Sequence, residues 1–195
     1  MSEQLGIGIV GLGFMGQTHL GAYQRADEAG FGNKLVAVCD ADPERRAGKA
    51  AAAGNFDTDA SEDLFDPAEV KGYEDPAELF ADPAVDVVSI CTPTDSHVDL
   101  AIAALEAGKH VLVEKPVAVT AAEVRRLAEV DARTDALCMP AMCMRFWPAW
   151  AWLAERVREG TYGAVRSAAF QRLGTRPGWG EGFYEDDSRT GGGKL

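Results

Sequence analysis

The sequence predicts an α/β fold, a doubly wound parallel sheet with helices on both faces, and three observations carry that prediction. Short β-rich runs alternate with helix-like segments over residues 1–140. A glycine turn separates the first run from the first helix. Beyond Arg145 the alternation ends and a tryptophan-rich stretch opens a second, partial domain over 141–195.

The elements follow in order. Residues 5–10 form the first strand and run into glycines, 17–29 are helical in character, and 34–39 are a second strand. Residues 43–53 read as a helix, with Pro43 in the first turn and Gly54 after the end. Residues 55–82 concentrate Asp and Glu, with only a short strand near 70–73. Asp75, Pro76 and Glu78 combine an N-cap, a first-turn proline and a capping acid, opening a short helix. Residues 85–91 are the fourth strand. Val98, Ile102 and Leu105 give 95–108 an apolar helical face that Gly108 terminates. Residues 110–114 are the fifth strand, Thr120 and Glu123 make a capping box for a helix to about 134, and 137–142 are strand-like. A helix over 148–159, a strand over 164–172 and a loop over 173–193 complete the chain.

Hydrophobic residues at 47% and charged ones at 26% of 195 residues describe a globular chain. No apolar run is long enough to span a bilayer. MSEQLGIGIV lacks a basic n-region and a cleavage site, so a cytoplasmic location is expected. Residues 1–140 hold 11 basic and 25 acidic side chains, and 141–195 hold 8 and 6, within a net charge of −12. Such an acidic molecule repels phosphate backbones and anionic membranes, so neither nucleic acid nor membrane is expected as a partner. Cys39, Cys91, Cys138 and Cys143 have no metal-ligand spacing and read as buried, reduced thiols. No metal site is expected.

GLGFMG, Gly11–Gly16, fits GxGxxG after a strand and before a helix, and Asp40 ends the second strand 24 residues beyond Gly16. This is the dinucleotide-binding pattern of a Rossmann domain. Gly11 permits the tight turn, Gly13 lets backbone amides approach a pyrophosphate, and Gly16 allows close strand–helix packing; the helix N-terminus supplies partial positive charge. Asp40 accepts from ribose hydroxyls and repels a 2′-phosphate, and Ala41 follows it, which favours NAD over NADP. Arg45 and Arg46 are either a solvated helix face or groups able to bend toward a phosphate.

CTPTDSH, Cys91–His97, leaves the fourth strand at the edge where ligands lie in open sheets. Thr94 or Asp95 is expected to cap the next helix, and His97 divides between cofactor contact and a structural role. His19 and His110 read as structural. Lys115, after the fifth strand in HVLVEKPVAV, reaches the same edge. Its ammonium there can hydrogen-bond a substrate hydroxyl or developing alkoxide, with partial burial expected to lower its pKa. Glu114 orients that amine or touches the nicotinamide ribose, and Pro116 is a candidate cis position. A surface Lys-Pro turn is the competing reading.

Together GLGFMGQTH, Asp40, CTPTDSHVDLAIAALEAGKHVLVEKPVA, MCMRFWPAWAWL and GAVRSAAF resemble the glucose–fructose oxidoreductase/inositol dehydrogenase/rhizopine-catabolism (Gfo/Idh/MocA) family. The resemblance implies a Rossmann domain followed by a C-terminal α/β domain whose open sheet supports homo-oligomers. It implies NAD-dependent oxidation or reduction of a sugar, inositol or related polyol. Gly11, Gly13, Phe14, Met15, Gly16 and Asp40 take dinucleotide contacts, and Thr92, Pro93 and His97 fall near the cofactor. Glu114 and Lys115 take the EKP roles, with Lys115 catalytic, and Arg145 sits where the family places a residue close to nicotinamide or substrate, or is a helix-entry ion pair. The acidic stretch at 55–75 is longer than the family's usual link. In the family a glycine run like Gly191–Gly193 leads to an Asp and a His that complete the catalytic set. The sequence stops before either, so impaired turnover is expected of this chain. A non-catalytic dinucleotide-binding protein and an NAD-using glycoside hydrolase are the alternatives. Trp147, Trp150, Trp152 and Trp179 are expected to pack a domain or oligomer face, or to offer one sugar-stacking ring.

Overall fold

Leu5–Val10 (β1) shows how the sequence builds the sheet. Ile7 and Ile9 point to one face and are fully buried with Leu12, Leu20, Leu35 and Val38. The alternating glycines face the other side, where a Cβ on Gly8 would stand 2.9 Å from Leu79 Cδ2. Small residues on that face let a helix approach closely. The computed structural model describes residues 4–49, 63–171, 173, 186 and 189.

After β1 come Phe14–Glu28 (α1), Asn33–Cys39 (β2), Pro43–Arg46 (α2), Lys71–Tyr73 (β3), Pro76–Ala81 (α3) and Val87–Ile90 (β4). A 3-10 turn at Thr94–Ser96 leads into His97–Glu106 (α4), then His110–Val113 (β5), Ala121–Asp131 (α5) and Cys138–Pro140 (β6). The strands pair in parallel in the order β3-β2-β1-β4-β5-β6, so the winding reverses between β1 and β4. The second core, on the Gly8 side, joins Val10, Leu79, Val88, Ile90, Val98, Leu105, Val113, Leu127 and Val130.

Local signals set most boundaries. Asp75 accepts from the Ala77 amide, Thr120 and Glu123 form the reciprocal capping box, and Gly108 leaves α4 at φ +78°. Several expectations need correction. α1 begins at Phe14, inside the glycine turn. α2 ends at Arg46 because Gly48, at φ +84°, turns the chain out of the helix; Ala53 and Gly54 lie outside the described residues. Neither Thr94 nor Asp95 caps a helix: Asp95 accepts from Arg189 Nε at 2.9 Å, and Ser96 Oγ donates to Thr92 Oγ1 at 2.7 Å. Residues 55–62 of the acidic stretch, and Trp179, also lie outside the described residues.

Contacts divide the chain into Met1–Pro140 with Pro177–Leu195, and Ala141–Arg176. In the latter, a 3-10 turn at Cys143–Phe146 precedes Pro148–Arg158 (α6), which Pro148 opens at its first turn. Trp150 packs on Phe170 with ring centroids 5.3 Å apart. Trp147, Trp152 and Val157 are exposed. The expected strand at 164–172 is not formed over 164–171. A strand needs a hydrogen-bonding neighbour, and among the described residues none pairs with it. Among the described residues no helix is long and apolar enough to cross a membrane.

Candidate cofactor site

Register builds the site. Val10 pairs with both Cys39 and Ile90, and Ile90 pairs with Val113. The next residue of each strand is Gly11, Asp40, Cys91 and Glu114, so all four stand on one rim, at the carboxyl ends of the strands. Hydrogen bonds lock this alignment: the Gly11 amide donates to Cys39 O at 2.8 Å, Cys91 N to Val10 O at 2.8 Å and Glu114 N to Ile90 O at 3.0 Å. Lys115 stands on the same rim as the glycine turn, at the point where the winding reverses and open sheets bind ligands.

The glycines have separable tasks. Gly11 adopts φ +87°, a backbone region that side chains disfavour. A Cβ on Gly16 would lie 1.9 Å from the Gly11 carbonyl oxygen, so α1 can start this close to the strand only without one. A Cβ on Gly13 would meet nothing within 4 Å, leaving open the approach to the start of α1, whose N-cap position this glycine occupies. That open approach fits a dinucleotide pyrophosphate, which would lie against the first turn of α1 at Phe14, Met15 and Gly16, where the helix N-terminus supplies partial positive charge. Asp40 is nearly buried; its Oδ2 accepts from Leu12 N at 2.6 Å and its Oδ1 from Asp42 N at 2.9 Å. Each oxygen keeps a lone pair for a ribose hydroxyl.

His97, divided between cofactor contact and structure on sequence, is held by backbone carbonyls. Its ring is 1% exposed, with Nδ1 2.9 Å from Pro116 O and Nε2 2.8 Å from Thr92 O. It joins the turn after β4 to the turn after β5. Thr92 stands against the glycine turn, its methyl 3.0 Å from where a Gly11 Cβ would be. Pro93 precedes the 3-10 turn, and the Lys115–Pro116 bond is cis. The Lys115 side chain, expected to be partly buried, is 55% exposed, with Nζ 4.0 Å from Glu114 Oε2. Arg145 is an exposed residue of the Ala141–Arg176 unit.

Glu114 is 5% exposed; its Oε2 accepts from the Lys115 amide at 2.9 Å and its Oε1 lies 3.1 Å from His19 Nε2. Burial raises the carboxyl, but hydrogen bonds from His19 and the Lys115 amide, with the Lys115 charge, outweigh it and hold the group below its ordinary value. Burial and the Glu114 charge push the Cys91 thiol up to about 12, which leaves it unreactive. Cys39 is buried, Cys91 and Cys138 are half-buried, and Cys143 is exposed, contrary to the expectation that the thiols are buried. Among the described residues no group of side chains could hold a metal ion.

His19, read from the sequence as structural, reaches Glu114 on this rim. The available signal was a buried polar Ser89 in the strand VVSI, which requires a partner. His19 and Tyr23, four residues apart on α1, supply it.

A 3-2-1-4-5-6 parallel sheet carrying a glycine turn, a strand-end carboxylate and a lysine on one rim defines an NAD-binding Rossmann domain. Residues 5–142 match the Gfo/Idh/MocA family, "Oxidoreductase family, NAD-binding Rossmann fold", and the chain belongs to it. An inositol 2-dehydrogenase of Saccharopolyspora erythraea is 36% identical over 159 residues, covering 80% of this chain and 42% of that protein. A myo-inositol 2-dehydrogenase of Thermotoga maritima is 32% identical with the same two coverages. The crystal structure of an NAD-binding oxidoreductase from Klebsiella pneumoniae superposes with a TM-score of 0.66 at 34% identity, covering 80% of this chain and 39% of that one. The chain thus spans about two fifths of the length of these relatives.

Proposed function

We propose that this chain is the cofactor-binding part of an NAD-dependent dehydrogenase that oxidises a hydroxyl of a sugar, inositol or related polyol. The observation that carries the reading is the exposed Lys115 amine on the rim shared with the glycine turn and Asp40. The named activity of two relatives supports the substrate class. NAD, when bound, supplies the hydride acceptor. Gly11, Gly13 and the first turn of α1 hold the pyrophosphate, and Asp40 holds the ribose. Lys115 would donate to the substrate oxygen and stabilise the alkoxide that develops as the hydroxyl proton passes to solvent at this exposed rim, while Glu114 sets the direction of that amine.

The arginines support NAD over NADP. Arg45 lies 3.8 Å from Asp40 and 3.6 Å from Asp42, and Arg46 donates to the carbonyls of Asp40 and Ala41 at 2.7 and 2.9 Å, so both are engaged within the turn. Residues 141–195 are proposed as the start of a substrate and oligomerisation domain. Exposed Trp147, just before α6, with Trp152 and Val157 on it, suits a homo-oligomer or the remainder of that domain. Four free thiols suit a cytoplasmic setting.

The test uses the longest reading frame containing this sequence. Lys115→Ala should leave the Kd for NAD within about threefold and reduce polyol-dependent NADH formation by on the order of 10²-fold or more. Absence of NAD binding at millimolar concentration by calorimetry, or a lysine variant that keeps its turnover, refutes the reading. Sugar release without net NADH would favour the glycoside hydrolase alternative.

A further inference from the structure

We infer that His19 is a positioning residue for this reaction: through Glu114 it fixes where the Lys115 amine stands on the cofactor rim. The inference rests on the dehydrogenase reading above and assigns a task to a side chain that meets neither cofactor nor substrate there.

One assignment of hydrogens satisfies every member of the cluster. Glu114 accepts the Lys115 amide on Oε2, so an ionised carboxylate needs a donor at Oε1 as well. His19 Nε2, 3.1 Å away, is that donor. In the neutral ring Nδ1 then accepts, and the Ser89 hydroxyl donates to it at 2.8 Å. Ser89 in turn accepts from Tyr23 OH at 3.4 Å. The result is a directional chain, Tyr23 to Ser89 to His19 to Glu114, passing from α1 through β4 and back through α1 to the end of β5. The groups facing Glu114 are His19 from α1, Cys91 from the end of β4 and Lys115 beside it.

Burial gives the chain its leverage. The His19 side chain is 12% exposed, that of Glu114 7%, and Ser89 is fully buried. Water cannot readily replace a missing donor at such depth, so loss of His19 leaves a buried carboxylate oxygen unsatisfied. Glu114 then turns or takes up a proton, and in either case loses its hold on the amine 4.0 Å away. A ring that served packing alone would have no reason to align donor and acceptor along three elements whose contacts span 70 and 95 residues of sequence.

The experiment compares His19→Ala with His19→Gln in the enzyme from the longest reading frame. Gln can donate to Glu114 and accept from Ser89. The Glu114 carboxyl is followed by carbon NMR across pH, and steady-state kinetics are measured with NAD and myo-inositol. His19→Ala should move the Glu114 titration upward and lower kcat about 10- to 100-fold, with the Kd for NAD changed less than about threefold. His19→Gln should restore most of both. If His19→Ala does not fold, Ser89→Ala carries the same directions, because it removes the donor that holds the ring tautomer. An unmoved Glu114 titration in these variants overturns the inference, as does a glutamine variant no better than alanine. If the unsubstituted enzyme neither binds NAD nor oxidises the polyol, the dehydrogenase reading fails instead, and the NMR titration still reports on His19 and Glu114.

Discussion

Replacing Gly16 and Gly13 separately by alanine should divide stability from cofactor binding. A Cβ at Gly16 would stand 1.9 Å from the Gly11 carbonyl oxygen and 2.9 Å from its carbon. Both are backbone atoms of a turn that the Gly11–Cys39 hydrogen bond ties to the sheet, so no side chain can swing aside. The first turn of α1 must withdraw by about an ångström. Overpacking of this kind costs about 1–3 kcal/mol, and the backbone origin of the clash puts Gly16→Ala near the upper end. At about 2–4 °C per kcal/mol for a chain of this size, Tm should fall by roughly 6–12 °C. The same withdrawal displaces the helix-start amides, so NAD binding weakens as well. Gly13→Ala meets nothing within 4 Å and sits at φ −68°, an ordinary value, so stability should change by no more than about 0.5 kcal/mol. Its methyl would occupy the ligand's approach and raise the Kd for NAD at least about tenfold. Thermal unfolding and calorimetric NAD titration measure the two effects. A Gly16→Ala protein that melts at the unsubstituted temperature, or a Gly13→Ala protein that binds NAD normally, refutes the reasoning.

Asp82 should make stability depend on acid. It is 5% exposed, and bonds from the Ala84 amide, Lys71 and Tyr73 lower its carboxyl from 3.8 to about 2. A depressed carboxyl stabilises fully above the unfolded value, so about 2 kcal/mol should be lost as pH falls from about 4 through about 2. Urea midpoints of the unsubstituted and Asp82→Asn proteins should converge over that interval; parallel curves would contradict it. Asp40→Ser should lower the preference for NAD over NADP, read as a ratio of Kd values, at least about tenfold, and an unchanged ratio would remove Asp40 from the specificity argument.

What the sequence determined by itself is whatever depends on near neighbours. Alternation of Ile and Gly along β1, the Asp75 and Thr120 caps, and the φ demands at Gly11 and Gly108 involve residues within one turn or one strand, so composition and spacing reveal them. The same locality misled where a nearby feature intervened, as when Gly48 ended a helix expected to run to 53. Tertiary structure alone decided that His97 is enclosed between two carbonyls, that Lys115 stays exposed, and that 164–171 forms no strand. It also brought His19, Ser89 and Glu114 together. Those contacts exist because β1, β4 and β5 are adjacent in the wound sheet, and that adjacency joins residues 70 and 95 positions apart that no local pattern connects.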